Sequence, residues 1–156
     1  MKIGIDPGLS GAIAFVSDTE IKVYDMPTIP IPWSRKGKRM VDTKFLHLLI
    51  EKKGHILNES IETITMEIVH SMPKQGVSST WTFAGSFFSA LAVINMFDHE
   101  IKMVHPAVWK KQFGLINMDK DASRLAVLKM YPDLISRLAR KKDGGRAEAI
   151  LIATSV

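Results

Sequence analysis

The chain has 156 residues, 46% of them apolar, with 21 Lys and Arg against 16 Asp and Glu, for a net charge of +5. That length suits one domain over residues 1–156 with a sizeable core, and the basic balance favours a polyanionic partner such as nucleic acid. The absence of cysteine excludes disulfides, thiolate metal sites and cysteine nucleophiles, and fits a reducing cytoplasm. No continuous apolar run approaches the roughly 18 residues of a membrane span, and the first residues lack the pattern of a signal peptide.

Residues 2–6 and 11–17 read as two strands joined by the turn Pro7-Gly8-Leu9-Ser10-Gly11, and alternation over residues 20–26 predicts a third. Three short consecutive strands predict an antiparallel meander. The Pro-rich, basic stretch at 27–39 reads as an exposed loop, the one candidate flexible segment. Asp42 or Thr43 caps a helix over 43–53, where Phe45, Leu46, Leu49 and Ile50 recur at helical spacing. A strand is predicted at 61–69, a long helix at 77–97 and a strand at 100–104. Pro106 opens a short helix over 107–113. A further helix runs from Asp119 to Tyr131, stopped by Pro132, and an apolar helix covers 147–154. Strands first, then strands alternating with helices, predict an α/β domain with a mixed sheet covered by helices.

Three acids interrupt apolar segments: Asp6 ends the first strand, Glu67 lies in TITMEIVH and Glu148 in RAEAILIA. Each has a plain reading taken alone. Asp6 braces the Pro-Gly turn, Glu67 is exposed on an edge strand, and Glu148 favours a helix N-terminus through the dipole. Buried carboxylates, however, are costly unless paired, protonated or metal-bound. Neither Asp6 nor Glu67 has a Lys or Arg at obvious local spacing. Together the three point to a hard divalent cation, magnesium or manganese, rather than zinc.

Four blocks carry a family resemblance: IGIDPGLSGAIAF; ITMEIVHSMPKQGVSST; VHPAVWKKQFGL with KDASRLAVLKMYP; and DGGRAEAILIA. In order, and across nearly the whole chain, they resemble the RuvC-type Holliday-junction resolvases, above all the shorter RuvC-like proteins of bacteriophages. The resemblance implies an RNase H-like fold, with a central mixed five-stranded sheet flanked by helices. It implies a homodimer that cuts branched DNA with two Mg2+ per site, Mn2+ substituting, in the cytoplasm of a bacterial host. Neither a membrane nor a nucleotide cofactor is implied. Carried over by position, Asp6, Glu67 and Glu148 match the family's metal-binding acids. A fourth ligand usually stands one helical turn before the last; Gly144 and Gly145 occupy those places here, leaving Asp143, five residues back, as the candidate. Lys120 matches a catalytic basic residue near the scissile phosphate, with Lys110 and Lys111 in the neighbouring block.

DNA contacts are expected from Arg140, Lys141, Lys142 and Arg146 beside the acids, and from Arg35, Lys36, Lys38 and Arg39 in the basic loop. His70 stands where many resolvases place an aromatic wedge, so broader branch selectivity is expected. Trp81, Phe83, Phe87, Phe88 and Met96 on the long helix suit core, dimer seam or base stacking; by resemblance this helix helps pair two subunits. Sugar kinases and actin-like ATPases share the opening strand–Asp–Gly pattern. They need a second lobe that 156 residues cannot supply, and no Walker-type loop is present. An RNA-processing nuclease on the same fold and a branch-binding protein without catalysis are the other readings.

Overall fold

Period-two alternation builds the centre of the molecule. The computed structural model describes residues 1–34, 37–56, 60–71 and 74–155. Its first apolar runs form β1 (Lys2–Asp6), β2 (Ala12–Val16) and β3 (Ile21–Asp25) as an antiparallel meander, with Gly4 opposite Ala14 and Ala14 opposite Val23. There follow β4 (Thr28–Pro30), β5 (Arg39–Val41), α1 (Thr43–Ile56), β6 (Thr63–Glu67), α2 (Val77–Ile94), β7 (Glu100–Val104) and α3 (Pro106–Gln112). The chain ends with α4 (Ala122–Met130), 3-10 turns at Pro132–Ser136 and Lys141–Asp143, and α5 (Gly144–Thr154). β6 pairs parallel with β1 and β7 parallel with β6, completing a five-stranded mixed sheet in the order β3-β2-β1-β6-β7.

Each sheet face buries its own layer. Ile3, Ile5, Ile64 and Met66 point to one side and pack with Leu46 and Ile50 of α1 and Val93 and Ile94 of α2. Burying a side chain of this size contributes about 1.5–3 kcal/mol. The opposite face offers small residues, Gly4, Ala12 and Ala14, and α5 lies on them with Ala147, Ala149 and Ala153. A Cβ at Gly4 would stand 2.0 Å from the Ala149 carbonyl oxygen, so this helix rests on the strand backbone. Because side chains alternate, Asp6 and Glu67 leave their strands on the face that α5 covers.

Three expectations change. The stretch expected as a loop over 27–39 contains a hairpin, with Thr28 opposite Val41, Ile29 opposite Met40 and Pro30 opposite Arg39. Arg39 reinforces it by donating Nε–H to the Thr28 hydroxyl at 2.8 Å. The helix expected from Asp119 begins at Ala122, because the Asp119 carboxylate takes the Asp121 N–H at 2.7 Å in a turn. The last helix starts at Gly144 rather than 147; glycines read as loop from propensity, yet the crowding at Gly145 described below requires one. The Asp42 cap forms, its carboxylate accepting the Phe45 N–H at 2.9 Å.

α2 packs inward through Ser86, Ala90, Val93 and Ile94. Its outer stripe is apolar: Val77 is 88% exposed, Trp81 82% and Phe88 63%. Despite its Ser and Thr residues, the helix has a mean hydropathy of 1.4, and by length and composition alone it could cross a membrane.

Candidate active site

The parallel pairing of β1 with β6 sets Ile5 beside Met66, so the next residues, Asp6 and Glu67, stand side by side at the same strand ends. Glu148 arrives from above. It lies in the second turn of α5, whose first turn presses on Asp6: a Cβ at Gly145 would be 2.6 Å from the Ser10 carbonyl oxygen and 3.2 Å from Asp6 Oδ2. Sheet register and helix seating therefore bring together the three acids singled out in the sequence.

Asp6 and Glu67 respond to their surroundings. The Asp6 carboxyl is pushed up to about 7, first by burial and then by the charges of Glu148 and Glu67; the Gly8 N–H and Lys110 pull the other way. Burial also raises Glu67, with the Glu148 charge adding to it. Opposing that rise, the buried Trp109 donates Nε1–H to Glu67 Oε1 at 2.8 Å, and Lys110 adds its positive charge. The Ser123 hydroxyl donates to Glu148 Oε1 at 3.3 Å.

This donor set fits a divalent cation: hard oxygens, desolvated, with more negative charge than their surroundings balance. Among the described residues, no three acidic or histidine side chains close around one point as placed. The acids are neighbours, not the finished cage expected from sequence.

Asp143 does not join them. Its Oδ1 accepts from the Arg140 guanidinium at 2.8 Å and its Oδ2 from the Arg140 main-chain N–H at 2.9 Å. Those hydrogen bonds hold its carboxyl below the usual range. Both oxygens of the carboxylate expected as the fourth ligand are thus engaged by Arg140. Arg146 is likewise engaged, donating from Nε to Asp25 Oδ1 at 2.6 Å and from its terminal nitrogen to Oδ2 at 2.8 Å. Arg140 and Arg146, expected to contact DNA, are thus both bound into ion pairs here.

Among the described lysines, Lys110 is the one whose charge acts on both Asp6 and Glu67, and it also sits 5.1 Å from the Trp109 ring centre. Lys120 is exposed in the turn before α4, its carbonyl 3.8 Å from the place of a Cβ on Gly144. Lys111, Lys141 and Lys142 are exposed. His70 is exposed just past β6, at a small cavity of about 200 Å³ shared with Phe83, Phe87 and Phe88. Lys38 donates to Ser78 Oγ at 2.9 Å, while Arg35 and Lys36 lie outside the described residues. Sequence reasoning missed Trp109 and Ser123. A Trp in an amphipathic helix and a Ser in another read as core and surface until the sheet brings them to the acids.

Strand order, register and the seating of α5 define an RNase H-like fold of the RuvC kind. Two solved structures with which it compares are both of RuvC from Thermus thermophilus. One, RuvC in complex with Holliday junction substrate, matches with a TM-score of 0.57 at 15% identity, covering 98% of this chain and 89% of that one. The other, a structure of RuvC, gives 0.53 at 14% identity, covering 98% and 90%. No protein-family model and no curated protein matches the sequence.

Proposed function

We propose that the protein is a divalent-cation-dependent endonuclease that hydrolyses phosphodiester bonds in branched DNA, Holliday junctions foremost, and acts as a homodimer. The observation that carries this reading is the placement of Asp6 and Glu67 side by side at the strand ends of an RNase H-like sheet, with the Glu148 charge of α5 acting on both. A structural neighbour of the same fold is described with a Holliday junction as its substrate.

Asp6, Glu67 and Glu148 would hold the cation, Mg2+ with Mn2+ as substitute, two per site. Bound there, such a pair supplies a more acidic attacking water and neutralises charge on the leaving oxygen. Trp109 and Ser123 orient Glu67 and Glu148 through their donated hydrogen bonds, the role that outer partners play around metal-binding carboxylates. Lys110 lowers the repulsion among the acids and faces the incoming phosphate. Lys111, Lys120, Lys141 and Lys142, exposed nearby, hold the DNA backbone without reading sequence. The outward stripe of Val77, Trp81 and Phe88 pairs with its own copy about a two-fold axis, presenting two sites to two strands. From the phage-like sequence blocks we place this work in the cytoplasm of a bacterial host.

The test is a gel assay with purified protein, a four-way junction, a fork and a linear duplex, with and without Mg2+ or Mn2+. Paired nicks in the junction that need the cation support the reading. A protein that binds junctions tightly but nicks none under either cation is a branch binder, and cleavage of a matched RNA junction in preference to DNA makes it an RNA-processing nuclease.

A further inference from the structure

A cleft of about 860 Å³ begins at the turn that follows Asp6. Gly8 marks that end, its N–H donating to Asp6 Oδ1 at 3.4 Å. Apolar Leu9 and Phe83 line the interior, Phe83 lying close enough to touch a Cβ at Gly8, at 3.9 Å. Lys38 and Arg39 come from the β4–β5 hairpin, and the hydroxyl-bearing Ser79 and Thr82 from the first turns of α2. No acid is among the lining residues.

An apolar interior, a cationic wall, a hydroxyl wall and no negative charge suit one chemistry: bases laid on carbon, phosphates on the cations, sugars against hydroxyls. The volume falls within the roughly 300–1,000 Å³ of small-ligand clefts. It is too small for a duplex arm, and it opens next to the acids. We propose that this cleft holds an unpaired stretch of the DNA strand adjoining the cleaved phosphate, with Leu9 and Phe83 under the bases and Lys38 and Arg39 on the backbone. The proposal rests on the nuclease reading and deepens it: the enzyme selects branches whose strands are open beside the cut.

The test measures binding by fluorescence anisotropy with the full chain and no divalent cation. The probes are a 12-nucleotide oligothymidylate, a duplex of the same length, and four-way junctions with and without two unpaired nucleotides at the centre. Ser79→Trp fills the cleft from an exposed helix position. It should weaken binding of the oligothymidylate and the open-centred junction about tenfold while leaving the duplex unchanged. Lys38→Ala should weaken the same probes and reduce the salt dependence by about one counterion. Unaltered binding of the oligothymidylate by both folded variants, or equal loss on the duplex, overturns the proposal. So does competition by thymidine monophosphate as effective as by the oligomer, which makes the cleft a nucleotide site. An Asp6→Asn protein must give the same cleft result, so loss of nicking in that variant tests the nuclease reading separately.

Discussion

The indole of Trp109 donates its N–H to Glu67 Oε1 at 2.8 Å, joining the fully buried side chain of α3 to the carboxylate that ends β6. This bond opposes the upward push that burial exerts on Glu67. Trp109→Phe should raise the Glu67 carboxyl further and weaken cation binding near neutral pH, with recovery in more alkaline buffer. The lost bond and the partly emptied pocket should cost about 2–4 kcal/mol of stability. Calorimetric Mg2+ titrations across pH check this; an unchanged pH midpoint would show that the indole does not tune the acid.

Asp6 gives the metal-free protein a pH dependence of definite sign. Its folded carboxyl titrates near about 7, against about 3.9 in an unfolded chain. Between those values the folded state holds a proton that the unfolded state has released. Stability is therefore greatest below the unfolded value and declines as pH rises through 7, by at most about 4 kcal/mol. Glu67, also raised, adds to the same trend. The melting temperature without cation should fall as the buffer moves from mildly acidic to mildly alkaline. Asp6→Asn should flatten that fall and abolish nicking while leaving junction binding intact. A wild-type melting curve that rises across the window contradicts the burial of this carboxyl.

Gly144 and Gly145 are neighbours with opposite expectations. At Gly144 a methyl would meet only the Lys120 carbonyl, at 3.8 Å, and the backbone there is helical at φ −55° and ψ −42°. Gly144→Ala should raise stability by about 0.4–1 kcal/mol by restricting the unfolded chain. Gly145→Ala drives a methyl to 2.6 Å from the Ser10 carbonyl oxygen and must lift α5 off the turn. Thermal melts of the pair should move in opposite directions, and nicking should fall only in the second. Equal behaviour would mean that the helix is not seated as described.

Asp143 is held by Arg140 through both carboxylate oxygens. Asp143→Asn weakens its charged bonds from Arg140 and should cost about 1–3 kcal/mol in a melting experiment, with nicking held within about threefold. Glu148→Gln should instead reduce nicking by about 100-fold or more at little cost in stability. If the two variants lose activity alike, Asp143 is a ligand after all.

The exposed stripe of α2 yields a solution test. Trp81→Glu and Phe88→Glu place a charge where two apolar faces would meet, so sedimentation velocity should show a dimer for the wild type and a monomer for either variant. A wild-type monomer at micromolar concentration removes the paired-nick geometry.

Much of this was legible in the sequence because local pattern and tertiary role coincide in the central strands. β1 and β7 span the residues that alternation marks, 2–6 and 100–104, and the three acids stand out because they break apolar runs. The rest depends on distance through space. The β4–β5 pairing joins two short segments across a Pro-rich, basic stretch whose composition signals a loop. Asp143 is the nearest acid before Glu148 along the chain, but chain order says nothing of Arg140, which engages its carboxylate. By resemblance Lys120 is the catalytic candidate, whereas it is the charge of Lys110, on α3 across the sheet end, that acts on Asp6 and Glu67.

The contact of α5 with β1 at Gly4, and with the β1–β2 turn at Gly145, is backbone against backbone. Positions that matter because they carry no side chain leave few letters for a sequence comparison to score, whereas the surrounding aliphatics are free to exchange among Ile, Val and Leu. A protein assembled around such contacts can differ widely in spelling while its shape stays put, which explains how two chains can share a fold at 15% identity.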